Sequence, residues 1–185
     1  MENMHKVLST YIIDERTMII LPKVTPYKLC TVVREEDNEF IVLQKPTEVI
    51  EQSCYFYGGN YKGRIASTEA LTGITHKPPI AVNSLERLFF FPSKSVRSNN
   101  CIWISHKHVK KVHKASPQKV RISFINNTFM TINVSIRSFK SQFLRTGQLI
   151  AAYANNKTIK IPPRQYELVH ENELNEYILE GRRKN

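Results

Sequence analysis

No apolar run in the sequence approaches the roughly 20 residues that a membrane-spanning helix needs, so no such helix is expected. The opening MENMHKVLSTYIIDER lacks the basic flank, apolar core and small-residue cleavage site of a secretory signal, which points to the cytosol. Cysteine is scarce. Cys30, Cys54 and Cys101 are odd in number and widely spaced, a pattern that argues against a disulfide framework and predicts reduced, buried thiols. Catalytic signatures are missing too. There is no C-x-x-C or H-E-x-x-H, and GGNYKGR matches neither phosphate-loop spacing. Helix-turn-helix, zinc-finger and aromatic RNA-platform patterns are also absent.

Acidic residues are missing from one region in particular. Between Asn60 and Arg121 there are twelve Lys/Arg against two acids, Glu69 and Glu86, giving +10. The rest of the chain has fifteen against fourteen, giving +1, so nearly all of the net charge of +11 sits in the middle third. A field of one sign is the usual footprint of a polyanionic partner, although a solvated basic face would look the same.

The composition, 41% hydrophobic and 23% charged over 185 residues, is that of one ordinary domain with a real core. Hairpin patterns occur at LSTYII/RTMIILP across Asp14-Glu15 and at CTVVR/EFIVLQ across a polar EEDN turn, with Pro22, Pro26 and Pro46 punctuating strand ends. In PTEVIEQSCYFY, Val49, Ile50, Cys54 and Tyr57 fit a short helix, but the Cys54–Tyr57 run fits a strand equally well. Gly58, Gly59, Asn60 and Gly63 mark a tight loop, and ASTEALTG reads as a short helix capped by Ser67 or Thr68 and stopped by Gly73. HKPPIAV, RLFFFP and CIWISH read as strands, with the basic loop SKSVRSNN between the last two. KVRISFIN and TFMTINVSI form a hairpin across Asn126-Asn127. Apolar residues at helical spacing predict a long helix near 136–154, either core-packing or a dimerisation surface, and NELNEYILEG predicts a short C-terminal helix. The fold class is therefore α+β: a strand-rich single domain of antiparallel hairpins with late helices. It divides into an N-terminal strand region (1–59), a basic region (60–121) and a hairpin with helices (122–185).

Cys54, His76, Cys101, His106, His108 and His113 are candidate metal ligands, and His106 and His108 on a strand would share one face. A Cys–His dyad from Cys54 or Cys101 with His76 or His106 can also be drawn, but no motif supplies an oxyanion hole or an orienting acid. Neither an enzyme nor a cofactor is expected. The lysines and arginines in loops and strand ends favour nucleic acid, since each phosphate contact adds salt-dependent, sequence-blind affinity. Tyr55, Tyr57, Tyr61 and Trp103 are interleaved and could stack on bases. Aromatics at strand spacing are more often core, the reading favoured for Phe89, Phe90, Phe91 and Trp103.

SCYFYGGNYKGR, ITHKPPIAV, FFFPSKS and CIWISHKHVK, in this order and at these separations, resemble the competence transcription factor ComK family of Gram-positive bacteria. The resemblance runs from Ile19-Ile20-Leu21-Pro22 through the helix near Phe139–Arg145 and is most specific in Ser53–Val82 and Phe89–Lys110. It fades at the C-terminus, where a long basic-aromatic tail in the family is short and acidic here. It implies a cytoplasmic, nucleoid-associated activator of genes for DNA uptake and recombination. Such proteins bind paired AT-rich boxes of double-stranded promoter DNA through the minor groove as homodimers. RNA polymerase and a proteolytic adaptor are further implied partners, and no membrane is. In such a protein, Arg64 and Arg97 are expected on loops that enter the groove. Lys62, Lys77, Lys107, Lys110 and Lys111 are expected on phosphates, and His76 and His108 as polar contacts. The cationic field around the histidines should disfavour their protonation. Non-specific nucleic-acid binding is the alternative, and a zinc-dependent or thiol enzyme a more distant one.

Overall fold

The run Leu88-Phe89-Phe90-Phe91 is apolar at every position, and a strand of that composition needs cover on both faces. The structure, a computed structural model, describes residues 6–156 and supplies that cover. Strand β6 (Leu88–Pro92) belongs to a seven-stranded sheet with β1 (Lys6–Leu8), β2 (Thr17–Val24), β3 (Leu29–Glu35), β4 (Glu39–Val42), β5 (Ile80–Asn83) and β7 (Trp103–Ser105). Their spatial order is β1-β4-β3-β2-β7-β6-β5, antiparallel throughout except for the parallel β1–β4 pair. A second antiparallel sheet, β10-β9-β8, comprises β8 (Val109–Ser116), β9 (Lys119–Phe124) and β10 (Phe129–Ile132). The architecture is α+β.

Side chains alternate between two cores, as the pleat requires. Ile20, Phe90 and Trp103 face helices α1 (Pro46–Phe56) and α2 (Tyr61–Thr72). Ile19, Phe91 and Ile104 face the second sheet and helix α3 (Ile136–Asn156). Phe89 joins a smaller cluster with Leu149 of α3. Each such aromatic or aliphatic side chain, fully buried, contributes about 1.5–3 kcal/mol. Helix α3 thus directs Phe139, Gln142, Thr146 and Leu149 into the protein, while Leu144 stays 71% exposed.

Several expectations change. LSTYII does not pair with β2; only Lys6–Leu8 is a strand, and it lies beside β4. The following segment is held by side chains instead of a ladder. Tyr11 N donates to Gln44 Oε1, Ile13 N donates to Ser53 Oγ, and Tyr11 Oη donates to Glu35. Pro22 does not end β2. It pairs with Thr31 of β3, but β2 meets β7 only at Ile19 and Ile20, so the missing N–H falls where that side has no further ladder.

PTEVIEQSCYF resolves to helix, with Pro46 at its start and the Lys45 N–H donating to Glu48 Oε2 at 2.8 Å. The tight loop is shorter than expected, because α2 begins at Tyr61. Asn60, not Ser67 or Thr68, is its N-cap, accepting from the Gly63 N–H at 2.7 Å. The Ser67 and Thr68 hydroxyls bond back to the Gly63 and Arg64 carbonyls within the helix. Gly73 stops α2 in the left-handed conformation at φ 71°, as expected. The hairpin across Asn126-Asn127 forms, but β8 joins it as a third strand. The expected C-terminal helix lies outside the described residues.

Candidate nucleic-acid interface

From residue 87 to residue 166 the sequence contains no Asp or Glu. The described part of that stretch, 87–156, forms β6 to β10 and α3, and Glu36 of the β3–β4 turn reaches it at His108. Those of its cations that the sequence singled out are presented in three ways.

The first is the loop from Ser93 to Asn100, whose backbone is held by turns at Ser95 and Ser98. It leaves Arg97 exposed and Lys94 half-buried. The second is the 3-10 turn His106–His108, which follows β7 and separates the residues it carries. Lys107 is exposed. His106 stacks on Phe143 of α3, with ring centroids 4.1 Å apart and 16° between planes. His108 is 0% exposed, with Nδ1 2.8 Å from Ser105 Oγ and Nε2 3.2 Å from Glu36 Oε1. The strand geometry that would have put both histidines on one face is therefore not formed, and His108 is enclosed instead of surface-facing. Both imidazoles are held below their ordinary pKa chiefly by burial. For His108 the neighbouring Lys107 charge adds to burial, and Glu36 opposes it. The cationic field is thus the lesser cause.

The third is β8, an edge strand carrying Lys110, Lys111 and Lys114, all exposed. Lysines also protect such an edge from pairing with another chain. Lys110 Nζ donates to Asn127 Oδ1 at 2.9 Å, which draws it to the β9–β10 turn.

The residues expected near the glycine-rich stretch lie elsewhere on the molecule. Lys62 and Arg64 sit in the first turn of α2, not on a loop. Lys62 is exposed; Arg64 folds back, donating from Nη2 to the Tyr57 carbonyl at 3.3 Å. A Cβ at Gly59 would approach Arg64 Nε to 2.9 Å, so this glycine makes room for the docked guanidinium. His76 is exposed; Lys77 is half-buried at φ 48°. Their carbonyls accept from Arg145 and Gln142 of α3, respectively, which ties that loop to the acid-free stretch.

Of the aromatics, Trp103 is enclosed, with Tyr61 edge-on to it at 6.2 Å, and Tyr57 Oη donates to the Ile13 carbonyl. Tyr55 and Phe56 stay exposed at the end of α1. The three cysteines are buried and free. Among the described residues no three His, Cys, Asp or Glu side chains converge as a metal would need, and no helix is long and apolar enough to cross a membrane.

On the exposed face of the second sheet, sequence reasoning singled out Lys111 and His113 but neither Arg121 nor Phe129. There His113, Arg121 and Thr131 form one cross-strand row, and Lys111, Ser123 and Phe129 the next. The alternation of Val120, Ile122 and Phe124 with Lys119, Arg121 and Ser123 was the available signal.

No solved structure matches the chain. It is 34% identical over 166 residues to the competence transcription factor of Bacillus subtilis (strain 168), covering 90% of this chain and 86% of that relative. The family model described as ComK protein matches residues 8–158. With most of both sheets and all three helices inside that match, the chain belongs to the ComK family.

Proposed function

We propose that the protein is a sequence-selective, DNA-binding transcriptional activator of competence genes. It binds AT-rich boxes in double-stranded promoter DNA through the minor groove, as a homodimer, in the cytoplasm and at the nucleoid. RNA polymerase is the further partner that an activator implies. The observation that carries this reading is the acid-free stretch 87–166. A surface of one sign recruits a polyanion and releases its counterions. The competence transcription factor it resembles supplies the biological setting.

Arg97, exposed on a polar loop, is the residue suited to a narrow, electronegative A-tract groove. Lys62, Lys77, Lys107, Lys110 and Lys111 supply phosphate contacts, and His76 a polar one. Arg64 reaches DNA only by leaving the Tyr57 carbonyl. His108 belongs to the interior. Direct readout in the minor groove separates mainly A·T from G·C pairs, so box spacing and DNA shape carry the remaining specificity.

Competition binding at physiological salt tests the reading. Paired AT-rich boxes should displace a labelled promoter fragment far better than random duplex, and a minor-groove ligand should block them. Sedimentation of the complex should give two chains per pair of boxes. Equal competition by random duplex would leave a non-specific nucleic-acid binder.

A further inference from the structure

We infer that the exposed face of the three-stranded sheet β8–β9–β10 is a binding platform for one sugar–phosphate strand of duplex DNA. Lys111, Lys119 and Arg121 take phosphates and Phe129 takes the sugar edge. The inference rests on the DNA-binding reading above and adds Lys119, Arg121 and Phe129 to Lys111 as one site.

The register puts these side chains on one face. Lys111 lies opposite Ser123, which lies opposite Phe129; His113 lies opposite Arg121, which lies opposite Thr131. Lys119 continues the same face two residues before Arg121. The other face of the same strands carries Val120, Ile122 and Phe124 into the core, so the platform cannot turn over without unfolding the domain.

Three features argue for an anionic, partly apolar occupant. The face is of one sign: Lys111, Lys119, Arg121 and His113 are exposed, and no carboxylate occurs between residues 87 and 166. Phe129 is 54% exposed on this polar face, and the Arg121 guanidinium lies 4.6 Å from its ring centroid. A cation held over an aromatic is pre-aimed, which reduces the ordering cost when it meets a phosphate. Finally, His113, Lys114, Ala115, Arg121, Ser123 and Phe129 line a shallow, open concavity of about 500 Å³, with Ser123 nearly buried among them. Two-residue spacing along a strand repeats the cations about every 7 Å, a pattern for tracking an extended charged polymer.

Fluorescence anisotropy with an AT-rich duplex over a range of salt concentrations tests the platform. The variants are R121A, R121K, F129A and F129L, with K28A, in the β2–β3 turn, as the charge-matched control. Arg121→Ala should weaken binding and lower the salt slope by about one unit, with Arg121→Lys keeping the slope. Phe129→Ala should weaken binding about tenfold with an unchanged slope, because no charge is lost, and Phe129→Leu should fall between. Thermal melting of each variant separates lost contact from lost fold. If a variant to alanine melts early, the lysine and leucine variants carry the comparison. Failure of the unmodified protein to bind any duplex would refute the DNA reading itself. Normal binding by the unmodified protein together with R121A and F129A affinities equal to that of K28A would overturn the platform alone, leaving the face to another part of the chain or a protein partner.

Discussion

His108 Nε2 lies 3.2 Å from the Glu36 carboxylate, which joins the turn between β3 and β4 to the 3-10 turn that follows β7. The carboxylate accepts from Nε2–H, so the neutral ring's Nδ1 is left to accept from the Ser105 hydroxyl at 2.8 Å. Asn126 Nδ2 donates to the Glu36 carbonyl at 2.7 Å, and the Ile125 N–H donates to the His108 carbonyl at 3.0 Å. One enclosed imidazole thus stands where the two sheets meet.

Burial lowers the pKa of His108 and of His106 in the folded protein. Below the unfolded value of about 6.5, and down to the folded values, the unfolded chain holds more protons than the native one. Stability is therefore complete above that window and falls as pH drops through it. Urea titrations at pH 7.5 and 5.5 should show the loss. His108→Gln should make the dependence shallower, with His106 supplying what remains. A dependence as steep as before would show that His108 does not titrate in this way.

The thiols should be quiet. Burial pushes the Cys54 thiol up to about 11, with Arg64 opposing only in part, and raises that of Cys101. All three cysteines are enclosed. A chromogenic disulfide reagent should react slowly with native protein and with three equivalents after unfolding. One equivalent released rapidly from the native state would revive the thiol-enzyme reading.

Gln142 connects α3 to the sheet from inside the core. Its Nε2 donates to the Pro92 carbonyl at 2.9 Å and to the Lys77 carbonyl at 3.0 Å. Gln142→Leu removes both donors and leaves two carbonyls unpaired, at a cost of about 2–4 kcal/mol. Denaturant unfolding measures it, and a loss below about 0.5 kcal/mol, the range of ordinary surface changes, would mean that the carbonyls find other partners.

Two exposed cations should differ in kind. Lys107→Ala should weaken binding to all duplexes alike and lower the salt slope by about one unit. Arg97→Ala should narrow the preference for AT-rich over GC-rich DNA. Binding curves on both duplexes at several salt concentrations make the comparison, and an unchanged preference in the Arg97 variant would remove that residue from the groove.

Much of the fold could be read from local pattern. CTVVR and EFIVLQ form their hairpin, and the spacing of Phe139, Phe143 and Tyr153 does mark a helix. Misreadings arose where side chains replaced ladder bonds or caps. Tyr11 and Ile13 look like strand residues, but their backbone amides are satisfied by Gln44 and Ser53, which lie 33 and 40 residues away. Asn60 was hidden as a cap by the glycines around it, and α2 begins with Tyr61, Lys62 and Gly63, which have little helical preference as a group. β8 was hard to see because an edge strand with one face in water needs few apolar residues: only Val109 and Val112 face inward against the core.

By itself the sequence determined the sign and segregation of charge, the lack of cysteine pairs and catalytic motifs, and the alternation that buries Phe90 and Phe91 on opposite faces. These are properties of composition and period, and they survive any arrangement of the strands. Only the tertiary structure decided which of those residues meet. It enclosed His108 against a carboxylate 72 positions away, docked Arg64 over Gly59, and set Lys111, Arg121 and Phe129 on one face through the β8–β9–β10 register. Periodicity specifies that a face exists. Which other face covers it, or leaves it to solvent and a partner, depends on contacts between residues far apart in the chain.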